Sequence, residues 1–254
     1  MLARLKRILR PVRPILGPVW SRVRPYVEDG VLTTWRSNRR RARVYRPDAP
    51  IRPVTMAEFD AVAEGKPYYR GRRQYVSAAA AQAEDLIDRH DLGSALELGP
   101  HIQPLIVGAD VLVLKPSDPP TADAMVVVHD ATRVPWPIAD RRYDLFVALQ
   151  VFEHLGDKQP DAFREVRRVA RNAIISLPID WVMDDPRNCH HMLSQERVLS
   201  WFAPVVPTRI VVGNGGRKRR MIYVFEELPP PAESRAQGRT APGAAPAGAA
   251  ANEG

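Results

Sequence analysis

The sequence predicts an α/β domain built on a doubly wound, mostly parallel sheet that ends in an antiparallel hairpin. Three observations predict it. Five short apolar runs succeed one another between residues 95 and 177, each of the length of a strand buried on both faces. Segments with the 3.6-residue spacing of an amphipathic helix stand before and between several of them. Residues able to carry chemistry crowd the positions just after the runs, where a doubly wound sheet binds its ligands.

Residues 74–90 read as a helix, Ala95 to Leu98 as the first strand and Asp110 to Leu114 as the second. Ala124 to Val128, Tyr143 to Leu149 and Ala173 to Ile174-Ile175-Ser176-Leu177 supply the third, fourth and fifth. Asp161 to Val169 is helical by pattern, with Phe163, Val166 and Val169 on one face. Ser194 to Phe202 is a second such helix that turns Val198, Leu199 and Phe202 inward. Arg209 to Val212 and Met221 to Phe225 flank a Gly-rich, basic stretch from Gly213, which predicts the closing hairpin.

The ends differ from this body. Residues 1–46 hold 13 of the 37 lysines and arginines and only Glu28 and Asp29 of the 29 acids, which leaves 24 bases against 27 acids over the remainder. Leu2, Leu5 and Leu9 stand at helical spacing among Arg4, Lys6, Arg7 and Arg10, a short basic amphipathic segment suited to an anionic membrane surface. Pro11, Pro14, Pro18 and Pro25 break any longer helix, and Arg39-Arg40-Arg41-Ala42-Arg43 suits either solvent or a polyanion, nucleic acid included. Residues 47–73 read as a connecting segment, 74–228 as the α/β domain, and 229–254, where 18 of 26 residues are Pro, Ala or Gly, as a disordered tail.

No run reaches the eighteen or so apolar residues of a membrane-spanning helix, and the N-terminus lacks the long apolar stretch of a signal peptide. A cytoplasmic protein is expected, with the arm permitting peripheral attachment to a membrane. The single cysteine, Cys189, excludes an intrachain disulfide.

The residues after the strands are specific. Glu97-Leu98-Gly99-Pro100-His101-Ile102-Gln103-Pro104 closes the first, His129-Asp130-Ala131-Thr132 the third, and Gln150-Val151-Phe152-Glu153-His154-Leu155 the fourth, while the fifth ends in Ser176-Leu177-Pro178. In this order, over about 150 residues, the chain resembles the class I S-adenosylmethionine-dependent methyltransferases of the broad type 11 group, whose sheet is Rossmann-like. The resemblance departs at the glycine loop, where only Gly99 survives and His101 and Gln103 replace glycines that would let backbone approach the cofactor. It departs again at Lys115, which stands where the family has a ribose-binding acid and leaves Asp118 as the available substitute.

The resemblance implies that S-adenosyl-L-methionine is the cofactor, with Gly99 and Pro100 beneath it, His101 beside its methionine moiety and Glu97 near its amino group. It further implies that Asp130 and Ala131 meet the adenine, and that the segment from Gln150 to His154 flanks the transferring methyl. His154 is the candidate general base, a group needed only for a weakly nucleophilic acceptor. Cys189-His190-His191 invites a metal, but adjacent ligands seldom close on one ion, so no metal is expected and His190 or His191 is assigned to the acceptor pocket or to a plain loop.

A near-neutral body points to a small-molecule or glycan acceptor. Two other functions fit the sequence: a non-catalytic interaction module tethered by the basic arm, and a nucleic-acid methyltransferase whose arm grips phosphates. A dinucleotide-dependent oxidoreductase is disfavoured by the missing Gly-x-Gly-x-x-Gly.

Overall fold

The structure is a computed structural model that describes residues 51–100, 103–115, 124–214 and 218–231. The N-terminal arm, His101, Asp118 and nearly all of the Pro/Ala/Gly-rich tail lie outside the described residues. Strands β2 (Ala95–Leu98), β4 (Asp110–Val113), β5 (Val126–Val128), β6 (Tyr143–Leu149), β7 (Ala170–Pro178), β8 (Arg209–Asn214) and β9 (Arg220–Phe225) form one sheet in the order β5-β4-β2-β6-β7-β9-β8. The first five run parallel, and β9 pairs antiparallel with both β7 and β8. The predicted hairpin therefore docks through its second strand.

Each apolar run forms a strand, and β7 begins three residues before its run because helix α4 (Gln159–Val169) passes into it without a loop. The polar residue at that start, Asn172, is buried with both ends of its amide engaged: it donates to Asp144 O at 2.9 Å and accepts from Glu227 N at 3.0 Å.

Alternation along the strands divides the interior in two. Leu145, Val147, Ile174, Ile222 and Val224 face a core shared with helix α3 (Arg73–His90). Phe146, Ala148, Ile175, Tyr223 and Phe225 face the opposite core, shared with α4 and helix α5 (Gln195–Phe202). Residues 51–73 join the first core: β1 (Arg52–Pro53) pairs with β3 (Ile106–Val107), and α1 (Met56–Ala63), capped by Thr55 and Glu58, buries Phe59 and Ala63. A short helix α2 (Pro67–Arg70) leads from there into α3. Gly213 lets β8 approach α3, since a Cβ there would lie 2.9 Å from the Tyr75 ring. Among the described residues no helix is long and apolar enough to cross a membrane.

Among the described residues no helix joins β5 to β6, and Trp136 anchors the connecting segment to the core. Its ring is buried and stacks on Phe146 at 5.9 Å, and its Nε1 donates to Ala131 O at 3.1 Å. Arg168 on α4 ties this segment down, pairing with Glu165 at 2.6 Å and Asp140 at 2.7 Å while donating to Ile138 O and Trp136 O. Arg168→Met keeps the apolar stem and removes every donor. It should lower the unfolding free energy by about 2–4 kcal/mol, because Glu165 is left buried without its charge partner; urea denaturation checks this as a shift in midpoint at unchanged slope.

Candidate functional site

The carboxyl ends of β2 and β6 open into a cleft of about 420 Å³, its solvent mouth included, lined among others by Phe59, Tyr69, Arg72, Glu97, Gly99 and Gln103. Glu97 is buried near the end of the strand before the loop, and its Oε2 accepts from Leu105 N at 2.6 Å, so the carboxyl holds the far end of the loop against the strand that begins it. Burial pushes its pKa up to about 8, against the pull of the Leu105 and Ile106 amides. Gly99 turns the chain at φ +56°, and a Cβ on it would touch Val151 at 3.5 Å, an ordinary contact; conformation rather than space favours glycine here.

Gln103, which replaces a glycine of the resembled pattern, lines the cleft with its Nε2 buried and without a hydrogen-bond partner. The same is true of other groups along this edge. Arg72 Nε, Gln150 Nε2 and both oxygens of Glu153 are buried and neither accept nor donate a hydrogen bond. Natural interiors leave few such groups, which makes this edge the candidate ligand site, although Gln82 Oε1, Arg209 Nε and Tyr223 Oη elsewhere are likewise buried without a partner.

Two arginines that no sequence motif marks lie buried near this edge, and Arg72 lines the cleft. Arg72 is buried between α2 and α3 with its guanidinium 4.3 Å from the Tyr68 ring centre, and it donates to the Tyr68 hydroxyl. Arg220 lies buried at 4.8 Å from the Trp181 ring centre and 5.4 Å from that of Tyr75. Burial and the nearby Arg72 charge lower its pKa. Among the described residues neither forms an ion pair with a carboxylate, although Arg220 Nε donates to Gln150 Oε1 at 3.2 Å. The signal for Arg72 was present in Tyr68-Tyr69-Arg70-Gly71-Arg72-Arg73, an aromatic and basic run just before a helix, but it precedes the strands and matches no pattern of known chemistry.

The predicted site residues fall into groups. Glu97, Gly99 and Pro100 line the cleft. Gln150 follows the lining residue Leu149 without itself lining the cleft, in a left-handed conformation, φ +59°, unusual for a residue with a Cβ and typical of functional turns. Asp130 and Ala131 come after β5, beyond β4 from β2, and are not among the cleft's lining residues. Asp130 Oδ1 accepts from Thr132 N at 3.0 Å and Thr132 Oγ1 at 2.7 Å, and these bonds hold its pKa below the usual range. His154 is exposed on the 3-10 turn Phe152–His154, next to His190 and Cys189; His191 instead turns its Nδ1 to the Met183 backbone.

A family model described as a methyltransferase domain matches residues 109–173. Among solved structures the chain is similar to the N-methyltransferase NodS from Bradyrhizobium japonicum WM9 in complex with S-adenosyl-L-homocysteine, with 13% identity over 65% of this chain and 90% of that one at a TM-score of 0.44. It is also similar to a SAM-dependent methyltransferase from Aquifex aeolicus, with 13% identity over 68% of this chain and 98% of that one at a TM-score of 0.43. No curated protein matches the chain.

The raised pKa of Glu97 makes stability depend on pH. A carboxyl whose pKa is about 8 when folded and about 4.3 when unfolded binds its proton more tightly in the folded state. Its stabilisation is complete below about pH 4.3 and is lost as pH rises towards 8, by up to roughly 1.4 kcal/mol per pH unit. Glu97→Gln should flatten the decline in unfolding free energy between pH 5 and 8, and chemical denaturation across that range reads it; a slope equal to that of the parent would exclude Glu97 as its source.

Proposed function

We propose that the chain carries a class I S-adenosylmethionine-dependent methyltransferase domain and methylates a small-molecule or glycan acceptor, with the cofactor's amino-acid end held in the cleft between β2 and α3. The observation that carries this placement is the set of buried, partnerless polar groups along the carboxyl edge of the sheet, with a cation on one side and a proton-binding carboxyl on the other. The residues present fit the group. An amino-acid moiety bears one carboxylate and one ammonium; Arg72 offers a guanidinium whose Nε has no partner, and Glu97 a carboxyl that ionises when a cation approaches.

S-adenosylmethionine supplies a methyl group on a sulfonium that is already activated for displacement. The chain's own task is alignment and proton removal. Arg72 would hold the carboxylate and Glu97 the ammonium, while Gln103 and Gln150 offer amide N–H groups directed at the remaining acceptors. Gly99 lets backbone lie close beneath the ligand, and Asp130 with Ala131 is assigned to the adenine end. His154, exposed beside the turn after β6, would accept the proton of a hydroxyl acceptor as the acceptor's new bond to carbon forms. The near balance of 24 bases and 27 acids outside residues 1–46 supports a small or neutral acceptor, and the basic arm supports attachment to an anionic membrane surface.

Calorimetry with S-adenosylmethionine tests the placement. At pH 7 binding should release close to one proton from Glu97, seen as an enthalpy that depends on the buffer's ionisation heat, and Glu97→Gln should abolish the release. Arg72→Met should weaken binding by about 10- to 100-fold, the loss of a charge-assisted pair worth roughly 1.5–3 kcal/mol; no binding at millimolar cofactor would overturn the reading. Deleting residues 1–46 should reduce sedimentation with anionic liposomes, each basic residue contributing roughly 1 kcal/mol at low salt. Retention on nucleic acid but not on liposomes would favour the phosphate-gripping alternative instead.

A further inference from the structure

The carboxyl edge also gathers a set of donors, His154 among them, that offers this residue a ligand's role in place of the base's. His154 comes after β6, and Cys189 and His190 belong to the loop between β7 and α5, yet one ligand atom from each lies within 4.8 Å of the others. Cys189 Sγ is 3.4 Å from His154 Nδ1, and His190 Nε2 is 3.3 Å from His154 Nε2. A tetrahedral zinc ion with bonds of about 2.3 Å to sulfur and about 2.0–2.1 Å to nitrogen separates its ligands by roughly 3.3–3.6 Å. Both observed separations are of that size. His154 and Cys189 are exposed, so their side chains are free to turn and bring a single His154 nitrogen to the ion.

A second observation points the same way. The Glu153 side chain is fully shielded from solvent and neither carboxylate oxygen has a hydrogen-bond partner, while Oε1 lies 3.4 Å from His190 Nε2. A buried carboxylate without donors requires positive charge nearby. One divalent ion bound by the Cys189 thiolate, beside the Glu153 carboxylate that faces the same His190 nitrogen, balances the two negative charges.

We infer that His154, Cys189 and His190 form a binding site for a thiolate-accepting divalent metal, zinc by the character of its donors, with Glu153 beside it as a balancing charge. Three protein donors leave one tetrahedral position for water or an acceptor atom. Adjacency of Cys189 and His190 alone is a poor metal signal; the third donor, 35 positions earlier, reaches them only through the fold.

The test uses the full chain without a polyhistidine tag and is independent of cofactor binding. Titration with Co²⁺ should saturate at one ion per chain with thiolate-to-cobalt charge-transfer absorption, and Zn²⁺ should displace it and slow alkylation of Cys189. Cys189→Ser and His190→Ala should each weaken Co²⁺ binding roughly 100-fold or more, Glu153→Gln about 10-fold or more, and His129→Ala not at all. A titration without saturation, a spectrum lacking the thiolate band, or equal affinity in the parent, Cys189→Ser and His190→Ala proteins would overturn the site.

Discussion

A sheet covered on both faces has little room for unsatisfied polar groups along its strands, and this constraint organises the protein. Every residue of β2 and β9 is buried, and the centre of β7 is buried throughout. Most polar side chains inside it have local partners: Ser176 meets the Tyr75 hydroxyl, and Asp110 accepts from Tyr143 Oη at 2.8 Å and from Met125 N at 2.9 Å, whereas Tyr223 Oη on β9 is buried without one. Gln103, Gln150 and Glu153, which also hold partnerless buried atoms, follow the ends of β2 and β6.

Glu97 stands at that boundary. It belongs to a buried strand, which denies it water, and it begins a loop whose return at Leu105 supplies its hydrogen bond. A carboxyl in this position braces the loop through its bond from Leu105 N, and burial favours its protonated form. The loop itself is not a glycine cradle. Gln103 brings a side-chain amide where backbone would otherwise approach, and Arg72, from outside the α/β repeat, supplies charge from the opposite wall.

The turn after β6 joins the two halves of the site. Val151 lies under Gly99, Gln150 bonds Arg220, and Glu153 and His154 lead to Cys189 and His190. One segment of five residues thus touches the cleft on one side and the Cys/His cluster on the other. Such proximity suits a site in which donor and acceptor must be aligned within an ångström or so.

The sequence by itself determined the strands, because a strand buried on both faces demands an unbroken apolar run, and such runs appear at 95–98, 110–113 and 143–149 without ambiguity. It determined equally that Glu97, Gly99 and Gln150 stand at strand ends, since position after a strand is a property of chain order. Tertiary structure decided what could not be read locally. Residues 51–73 have no motif, and only their burial against α3 and the sheet brings Phe59, Tyr69 and Arg72 to the cleft. Likewise the antiparallel insertion of β9 beside β7 brings Arg220 to Gln150, and the return of the chain after β7 carries Cys189 and His190 to His154. These are contacts between distant segments, set by packing and charge rather than by any periodicity that neighbouring residues could encode.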